Sequence, residues 1–361
     1  MNRKFTLSAI FAALGAAILG MGSCSGPQNT LLSVAPSDSS IMYMGRIDRS
    51  NPDAYAFNYP GVTAMFNFEG DTLRMAAKPG SGYFMVEIDT IAPFKVHFGE
   101  QDSLIALAEG LSEGPHSARI TYAIEGYEFM PEFRGFEITN GRMLPAPERP
   151  ELKIEFIGNS ITCGYGNEDS IASNGFAYET ENHTITYAHL TARRLNADVN
   201  VVARSGIGIY RNYGTPTEGS DDTMPLEYDQ TMLYQDEPKW DFAQFQPDIV
   251  FVNLGTNDTS ENKGDMKLFE ETYAKFLDHL LDVYPQAQIV LATGSMMEGE
   301  RLEKVKSALD NLANDKERVH RFDFSPQTGE LGYGASWHPS TRQHQRMADE
   351  LTPYLQSLIN K

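Results

Sequence analysis

The sequence predicts an α/β protein with an N-terminal β-sandwich (jelly-roll) domain and a C-terminal three-layer α/β/α domain. The chain has 361 residues, which is enough for two domains. Short strand-like runs separated by Gly, Pro, Asn and Asp fill the first part, a pattern typical of sandwiches. After residue 150, apolar strands alternate with amphipathic helices, which indicates a parallel sheet covered on both faces.

The first 23 residues have the pattern of an export signal. Arg3 and Lys4 are followed by an apolar run from residue 5 to 22, and Cys24 comes directly after small residues. Residues 21–24 resemble a bacterial lipobox, so we expect cleavage before Cys24 and lipidation of its sulfur. An ordinary signal peptide or an uncleaved anchor is the alternative. The prediction is an exported lipoprotein, periplasmic or on the cell surface of a bacterium, that meets a membrane only through its N-terminal lipid.

Residues 31–144 form the predicted β-sandwich. Residues 81–89 and 118–124 are the clearest strands, and turn residues such as those at 78–80 lie between such runs. The segment 145–150 holds three prolines, which fix φ and remove backbone donors. We therefore predict a stiff linker there.

Residues 151–361 form the predicted α/β domain. Its strands have no polar alternation, as expected when both faces of a sheet are covered by helices. The expected strands are 154–157, 199–203, 248–253 and 287–293, and the expected helices are 187–195, 268–280, 300–312 and 341–358.

Composition limits the classes of partner. The formal net charge of −20 argues against nucleic acid, whose phosphates need a basic surface, and favours a neutral substrate. The sequence holds two cysteines, Cys24 and Cys163, so a lipidated Cys24 leaves no pair for a disulfide. We read Cys163 as a small buried residue rather than a nucleophile. No cluster of metal-ligand spacing and no phosphate-binding glycine loop occurs, so we expect neither metal nor cofactor.

Ser160 and His338 are the candidate catalytic residues. Ser160 directly follows an apolar strand, and reacting groups in open parallel sheets gather at the carboxyl ends of strands. A serine hydroxyl needs an adjacent base to become a nucleophile. His338 lies in a Gly- and Pro-containing loop before the last helix, whereas His189, His279 and His344 lie within helical patterns and read as surface or partly packed residues.

An acyl-transfer site also needs donors aimed at an oxyanion. The backbone N–H groups of Ser160 and Gly206 and the side-chain amide of Asn257 are the candidates, because each follows a predicted strand. Taken alone, Asn257 with the following aspartate also fits a turn or a helix cap. The order and placement of all these segments together favour ester hydrolysis.

Aromatic residues close to these segments are candidates for substrate binding. Trp337 precedes the presumed base and can form a wall for a sugar ring or an acetyl methyl group, or can simply pack. The presumed oxyanion loop is the segment 205–208, which carries Gly206. Tyr210 follows this loop, together with Arg211 and Tyr213, and is expected to line the cleft.

This set of motifs resembles the SGNH, or GDSL-like, hydrolases, whose four blocks are matched in order by Ser160, Gly206, Asn257 and His338. Nearly the whole mature chain is similar to carbohydrate esterase family two, and segments 153–166, 205–213 and 337–340 carry the likeness. That family joins a jelly roll to an SGNH domain and removes acetyl groups from polysaccharides such as xylan and glucomannan. The resemblance therefore implies an acetyl xylan esterase type of enzyme, with acetylated polysaccharide or oligosaccharide as its partner.

Two positions depart from the superfamily pattern. Asn159 stands where the GDSL block has Asp, and Ser336 stands where an acid often orients the histidine. The resemblance implies a Ser–His dyad, with the imidazole held by a backbone carbonyl. Asp323 and Glu330 are near His338 in sequence, but nearness in sequence is not contact, so the group that orients His338 stays open here. A non-catalytic carbohydrate-binding protein, an esterase for another short acyl group, and an acyltransferase are the alternatives.

Overall fold

The computed structural model describes residues 30–359. The predicted signal at 1–23 and the lipidation site at Cys24 lie outside the described residues. Two antiparallel sheets form the N-terminal domain. Their strands are β1 (Leu31–Val34), β2 (Met42–Met44), β3 (Tyr55–Ala56), β4 (Thr63–Glu69), β5 (Thr72–Ala77), β6 (Gly82–Ile88), β7 (Phe94–Phe98), β8 (Leu104–Glu109), β9 (Pro115–Tyr122), β10 (Glu132–Thr139) and β11 (Arg142–Met143).

The two sheets pack face to face. One has the strand order β1-β10-β5-β8 with β3 also on β10, and the other has the order β11-β4-β9-β6-β7 with β2 on β4. Burial alternates along β4, β5 and β6, so every second side chain enters the space between the sheets. An aromatic cluster that includes Phe57, Phe84 and Phe133 fills this core. The predicted β-sandwich is confirmed.

The C-terminal domain is an α/β fold that begins after the prolines at 145–150. Its strands are β12 (Lys153–Gly158), β13 (Asp198–Ala203), β14 (Ile249–Asn253), β15 (Gln288–Thr293) and β16 (Val319–Asp323). Its helices are α1 (Ser160–Cys163), α2 (Tyr187–Arg194), α3 (Met224–Glu227), α4 (Met266–Val283), α5 (Gly299–Ala313) and α6 (Thr341–Ile359).

The five strands of this domain are parallel, in the order β13-β12-β14-β15-β16. Val250 and Val252 of β14 face a core shared with α4 and α5, whereas Ile249 and Phe251 face a core shared with α2 and α6. This is the predicted three-layer arrangement, with the carboxyl ends of all strands at one edge. β16 was not predicted, because its sequence is polar and its residues are only half-buried.

The two domains share a buried interface. The guanidinium of Arg46, from the sandwich, lies 3.2 Å from the carboxylate of Glu155 in β12, and both side chains are fully buried. Arg46 also donates to the carbonyl oxygens of Tyr228 and Gln230. Tyr59 of the sandwich belongs to the core beneath α4 and α5. The sandwich is therefore packed into its partner domain.

Within residues 30–359, no helix has both the length and the apolar character needed to cross a bilayer.

Candidate active site

Ser160 stands at the carboxyl edge of the parallel sheet. β12 ends at Gly158, and Ser160 opens the short helix α1. The side-chain oxygen of Asn159 accepts a hydrogen bond from the N–H of Ile161 at 3.1 Å, which caps that helix. An amide in place of the Asp of the GDSL block therefore keeps this cap. Ser160 is only 7% exposed, so its hydroxyl is held at the floor of a cleft.

His338 faces Ser160 from a loop before α6. A single 3-10 turn over Ala335–Trp337 precedes it, and Ser336 and Trp337 both adopt positive φ angles, of 49° and 56°. Nε2 of His338 lies 2.9 Å from Oγ of Ser160, and Nδ1 lies 3.1 Å from the carbonyl oxygen of Ala335. A neutral imidazole with its proton on Nδ1 fits both contacts, because Nε2 then accepts from the serine hydroxyl.

The ring of His338 has no carboxylate partner among the described residues. Asp323, which is near in sequence, accepts hydrogen bonds from Thr293 and Arg321 at the end of β16 instead. The group that orients the imidazole is the carbonyl oxygen of Ala335. The left-handed turn at Ser336 and Trp337 brings this oxygen to Nδ1 of His338. These contacts are compatible with the Ser–His dyad that the resemblance implies, and the dyad stays a prediction.

A close approach of two turns brings the serine and histidine segments together. The N–H of Ala335 donates to the carbonyl oxygen of Gly166 at 3.0 Å. Gly166 has a φ of 54°, and a Cβ there would lie 2.4 Å from Cβ of Ala335, so only glycine fits. The preceding residue, Tyr165, stacks on the imidazole of His338 with ring centroids 4.0 Å apart. Tyr165 was missed as a site residue, although it lies in the glycine-rich segment that follows Ser160.

Burial governs the protonation of His338. Removal from water disfavours the imidazolium and lowers its pKa to about 4, although hydrogen bonds to the loop backbone partly oppose the shift. With no carboxylate beside it, the ring stays neutral across the usual pH range.

We expect the acid limb of the kcat/KM profile to have its midpoint near pH 4, because a base must be neutral to accept the serine proton and the pKa of free His338 is about 4. Activity should be retained as the pH falls through 6.5 and should be lost only around 4. Initial rates on a nitrophenyl ester across pH 3.5–8 measure this. A midpoint near 6.5 would contradict a buried, carboxylate-free base.

Acid unfolding must be separated from this titration. Burial lowers the pKa of His183 to about 4 and that of His344 to about 3, and it also lowers the pKa of His189. As pH falls below about 6.5, these histidines bind protons in the unfolded chain but stay neutral in the folded protein. The free energy of unfolding therefore decreases. Samples held briefly at each pH and then assayed at pH 7 reveal any irreversible loss.

The three candidate oxyanion donors belong to residues of the cleft that holds Ser160. The N–H of Ser160, as the first residue of α1, has no intrahelical acceptor. No acceptor occurs for the N–H of Gly206 within the described part of the chain. Nδ2 of Asn257 donates one hydrogen to the carbonyl oxygen of Ile207 at 2.8 Å, which leaves its second hydrogen free. Ser160, Gly206 and Asn257 therefore present these donors to one cleft.

A buried carboxylate shapes the loop that carries Gly206. Oδ1 of Asp258 accepts the backbone N–H groups of Ile209, Tyr210 and Arg211 at 2.8, 2.9 and 3.3 Å. Burial raises the pKa of Asp258 to about 6, against the opposing effect of these donors. Asp258 therefore holds the backbone of residues 209–211 in place and does not face the substrate cleft.

The cleft above Ser160 has a volume of about 470 Å³. Tyr213, 64% exposed, lines it together with Met296 and Arg301. Trp337 is 57% exposed, and both of its chain neighbours line the cleft. Tyr210, the predicted substrate contact, is instead buried. Its hydroxyl accepts the N–H of Asp265, because the hydrogen bonds to Asp258 turn the loop so that Tyr210 faces inward.

Two further predictions about single residues have outcomes. Cys163 is a buried free cysteine, which confirms its reading as a small core residue. His189 and His344 are buried, so their interpretation as surface or partly packed residues is wrong. His344 instead accepts the N–H of Tyr187 through Nδ1 at 3.3 Å, which joins α6 to α2.

Sequence reasoning also missed a buried cluster of Glu125, Cys163 and Glu181. One carboxylate oxygen from each glutamate and the sulfur of Cys163 all lie within 4.8 Å of one another. It is the only group of three potential metal ligands in residues 30–359. Its members come from distant parts of the chain and from both domains, so no sequence spacing indicates them.

Two family models match the chain. Residues 43–147 match the carbohydrate esterase 2 N-terminal domain, and residues 154–351 match the GDSL-like lipase/acylhydrolase family. The chain is 36% identical over 328 residues to the cellulase/esterase CelE of Acetivibrio thermocellus, covering 88% of this chain but only 39% of that protein. It is 30% identical to an acetylxylan esterase/glucomannan deacetylase of Cellvibrio japonicus, covering 94% of this chain and 96% of that protein.

Solved structures agree with these sequence matches. A family two carbohydrate esterase from Clostridium thermocellum in complex with cellohexaose superposes with a TM-score of 0.83, at 35% identity and with 89% of this chain and 99% of that chain covered. A family two carbohydrate esterase from Cellvibrio japonicus superposes with a TM-score of 0.85, at 29% identity and with 92% and 99% covered.

Proposed function

Because this chain belongs to carbohydrate esterase family two, we propose that it is a serine esterase that removes O-acetyl groups from polysaccharide through an acyl-serine intermediate. The observation that carries the proposal is the 2.9 Å contact between Nε2 of His338 and Oγ of Ser160, with free donors beside the hydroxyl. Nucleophile, base and oxyanion donors then share one cleft, as acyl transfer requires.

The first half-reaction acylates the serine. Oγ of Ser160 attacks the acetyl carbonyl carbon while its proton passes to Nε2 of His338. The N–H groups of Ser160 and Gly206 and the free hydrogen of Asn257 receive the negative charge that develops on the carbonyl oxygen. The imidazolium then protonates the departing sugar oxygen, the bond from that oxygen to the carbonyl carbon breaks, and acetyl-serine remains.

The second half-reaction repeats these steps with water. His338 takes a proton from water, the hydroxide oxygen attacks the acetyl-serine, and the imidazolium returns a proton to Oγ as acetate leaves. The carbonyl of Ala335 keeps the Nδ1 proton in place throughout, and stacked Tyr165 holds the ring plane. A dyad can suffice because an ester carbonyl is more reactive toward a nucleophile than the carbonyl of an amide.

A neutral, acetylated plant polysaccharide is the proposed substrate. The Cellvibrio japonicus relative carries the name acetylxylan esterase/glucomannan deacetylase, and one related structure holds cellohexaose. Exposed Trp337 and Tyr213 beside the cleft supply flat apolar faces of the kind on which sugar rings pack. The net charge of −20 repels polyanions.

We also propose that the protein is exported and lipid-anchored through Cys24, because residues 1–24 have the pattern of a lipoprotein signal. Intact-mass analysis of protein from the producing cell tests this. Mature protein without a diacylglycerol on Cys24 would rule out the anchor.

We expect the mature protein to release acetate from acetylated xylan and acetylated glucomannan, and to act on nitrophenyl acetate far faster than on esters of longer acyl chains. Acetate assay and a chain-length series measure this, with Ser160→Ala as the control that keeps the fold but lacks the nucleophile. Glycan retention without acetate release from any ester would instead favour the carbohydrate-binding alternative. This alternative is tested because His338 has no carboxylate partner within residues 30–359.

A further inference from the structure

A loop of the β-sandwich reaches into the α/β domain and ends against the oxyanion loop. This is the connection 123–131 between β9 and β10, and Glu125 within it is 2% exposed. Both carboxylate oxygens of Glu125 lie 3.2 Å from the backbone nitrogen of Ser205, and one of them also accepts the Ser205 hydroxyl. Ser205 is thus held by two of its own groups.

The position of Ser205 decides where the next N–H points. Ser205 immediately precedes Gly206, whose N–H is one of the proposed oxyanion donors. Gly206 has a φ of 80° and little around it, since a Cβ there would have its nearest neighbour at 3.8 Å. Side chains therefore pack loosely around Gly206. Its carbonyl oxygen accepts the N–H of Tyr213 at 2.8 Å, and the peptide group that carries its own N–H is fixed by the anchored Ser205 before it. Carboxylate hydrogen bonds to N–H and O–H are the strong, short kind that can do so.

The same carboxylate reaches the helix that carries the nucleophile. The sulfur of Cys163, at the end of α1, lies within 4.8 Å of a carboxylate oxygen of Glu125 in the buried cluster described above. Ser160 is the first residue of that helix. Glu125 therefore bonds the loop that carries Gly206 and lies close to the nucleophile helix, and it does so from the other domain.

Two glutamates so close together in a buried site cannot both be charged. Burial and the charge of Glu125 raise the pKa of Glu181 well above its ordinary value. Burial also raises the pKa of Glu125, but its hydrogen bonds from Ser205 and the nearby charge of Arg204 oppose that shift. In either protonation state of this pair, the oxygens of Glu125 face the N–H of Ser205 at 3.2 Å and can accept it.

We propose that Glu125 is a positioning residue for the oxyanion hole, so that the β-sandwich completes the active site of the α/β domain. This inference rests on the proposed esterase function. It gives the sandwich a role in catalysis besides packing, because no residue of the α/β domain makes these bonds to Ser205 in the described chain.

The test compares Glu125→Ala and Glu125→Gln with Glu128→Ala, a matched control. Glu128 is on the same loop but is exposed and bonded to Tyr178. Loss of a whole oxyanion donor costs about 10²–10³ in kcat, so a misplaced one in Glu125→Ala is expected to lower kcat on nitrophenyl acetate by about 10–10² with little change in KM. Glu125→Gln, whose amide oxygen can still accept one bond, should recover part of the rate, and Glu128→Ala should match the parent.

The affinity of the enzyme for methylboronic acid provides a second measurement. It should not change if Glu125 contributes only to the stability of the fold. Boron accepts an electron pair from Oγ of Ser160, whose proton passes to Nε2 of His338, and the tetrahedral boronate anion that forms places one of its hydroxyl oxygens in the oxyanion hole. We expect Glu125→Ala to weaken this inhibitor by the factor by which kcat falls, while circular dichroism stays that of the parent. If Glu125→Ala does not fold, Ser205→Ala removes the hydroxyl bond alone and should lower kcat several-fold.

Three results would overturn the inference. One is an active parent whose Glu125 variants, or Ser205→Ala, keep kcat and boronate affinity within twofold. Another is that Glu128→Ala lowers KM and kcat as much as Glu125→Ala does. The last is one equivalent of metal bound to the purified protein and lost in Glu125→Ala, which would make the cluster a metal site. A parent inactive on every ester contradicts the proposed function instead, and these outcomes are distinguishable.

Discussion

Replacing His338 with glutamine should lower kcat for nitrophenyl acetate by about 10³-fold, because general base and acid catalysis contribute roughly 10²–10⁴ and no second base contacts Ser160 Oγ in residues 30–359. KM should change little, because the imidazole accepts the serine proton in the transition state and does not bind the ester in the ground state. Steady-state kinetics of the purified variant measure both constants.

His279→Gln is the matched control for this variant. His279 is the same residue type, but it lies on α4 with its ring 2.7 Å from Asp229, away from the cleft. Its replacement should leave kcat unchanged. If His338→Gln retains more than about a tenth of the parental rate, some other group takes the serine proton and the proposed dyad is wrong.

Removing Arg46 should reduce the free energy of unfolding by about 3–5 kcal/mol, the usual effect of leaving a buried charge without its partner. In Arg46→Met, the fully buried Glu155 would keep only the hydroxyls of Tyr228 and Tyr284 as donors among the described residues. Urea unfolding can be followed in a Trp337→Phe background, in which Trp240 is the single tryptophan. Trp240 lies 5.0 Å from the Arg46 guanidinium.

The double variant Arg46→Met with Glu155→Gln is the control for this stability prediction. It removes both charges while keeping an acceptor for the tyrosine hydroxyls, so it should be more stable than Arg46→Met alone. Loss of less than about 1 kcal/mol in the single variant would show that the pair does not hold the domains together.

The parallel sheet and its catalytic edge could be predicted because their signals are local. Strands buried on both faces read as continuous apolar runs, and Ser160 and Asn257 directly follow two of them. β16 escaped prediction because an edge strand is only half-covered, and its His320 and Arg321 read as polar loop residues.

The features that sequence reasoning missed depend on contacts between distant segments. Tyr210 and Tyr213 are three residues apart, and only the hydrogen bonds to Asp258 decide that the first faces the core and the second the cleft. Glu125 reads as one acidic loop residue among many. Its contact with Ser205 exists only once the two domains are packed together.

Covalent trapping at the serine tests the central claim most directly. The protein would be incubated with a small fluorophosphonate, which phosphonylates an activated serine, then digested and examined by mass spectrometry. We predict one label per molecule on the peptide that contains Ser160, no label in Ser160→Ala, and much slower labelling in His338→Gln. A label on another residue, or an unlabelled parent that still releases acetate, would contradict an acyl-serine mechanism at Ser160.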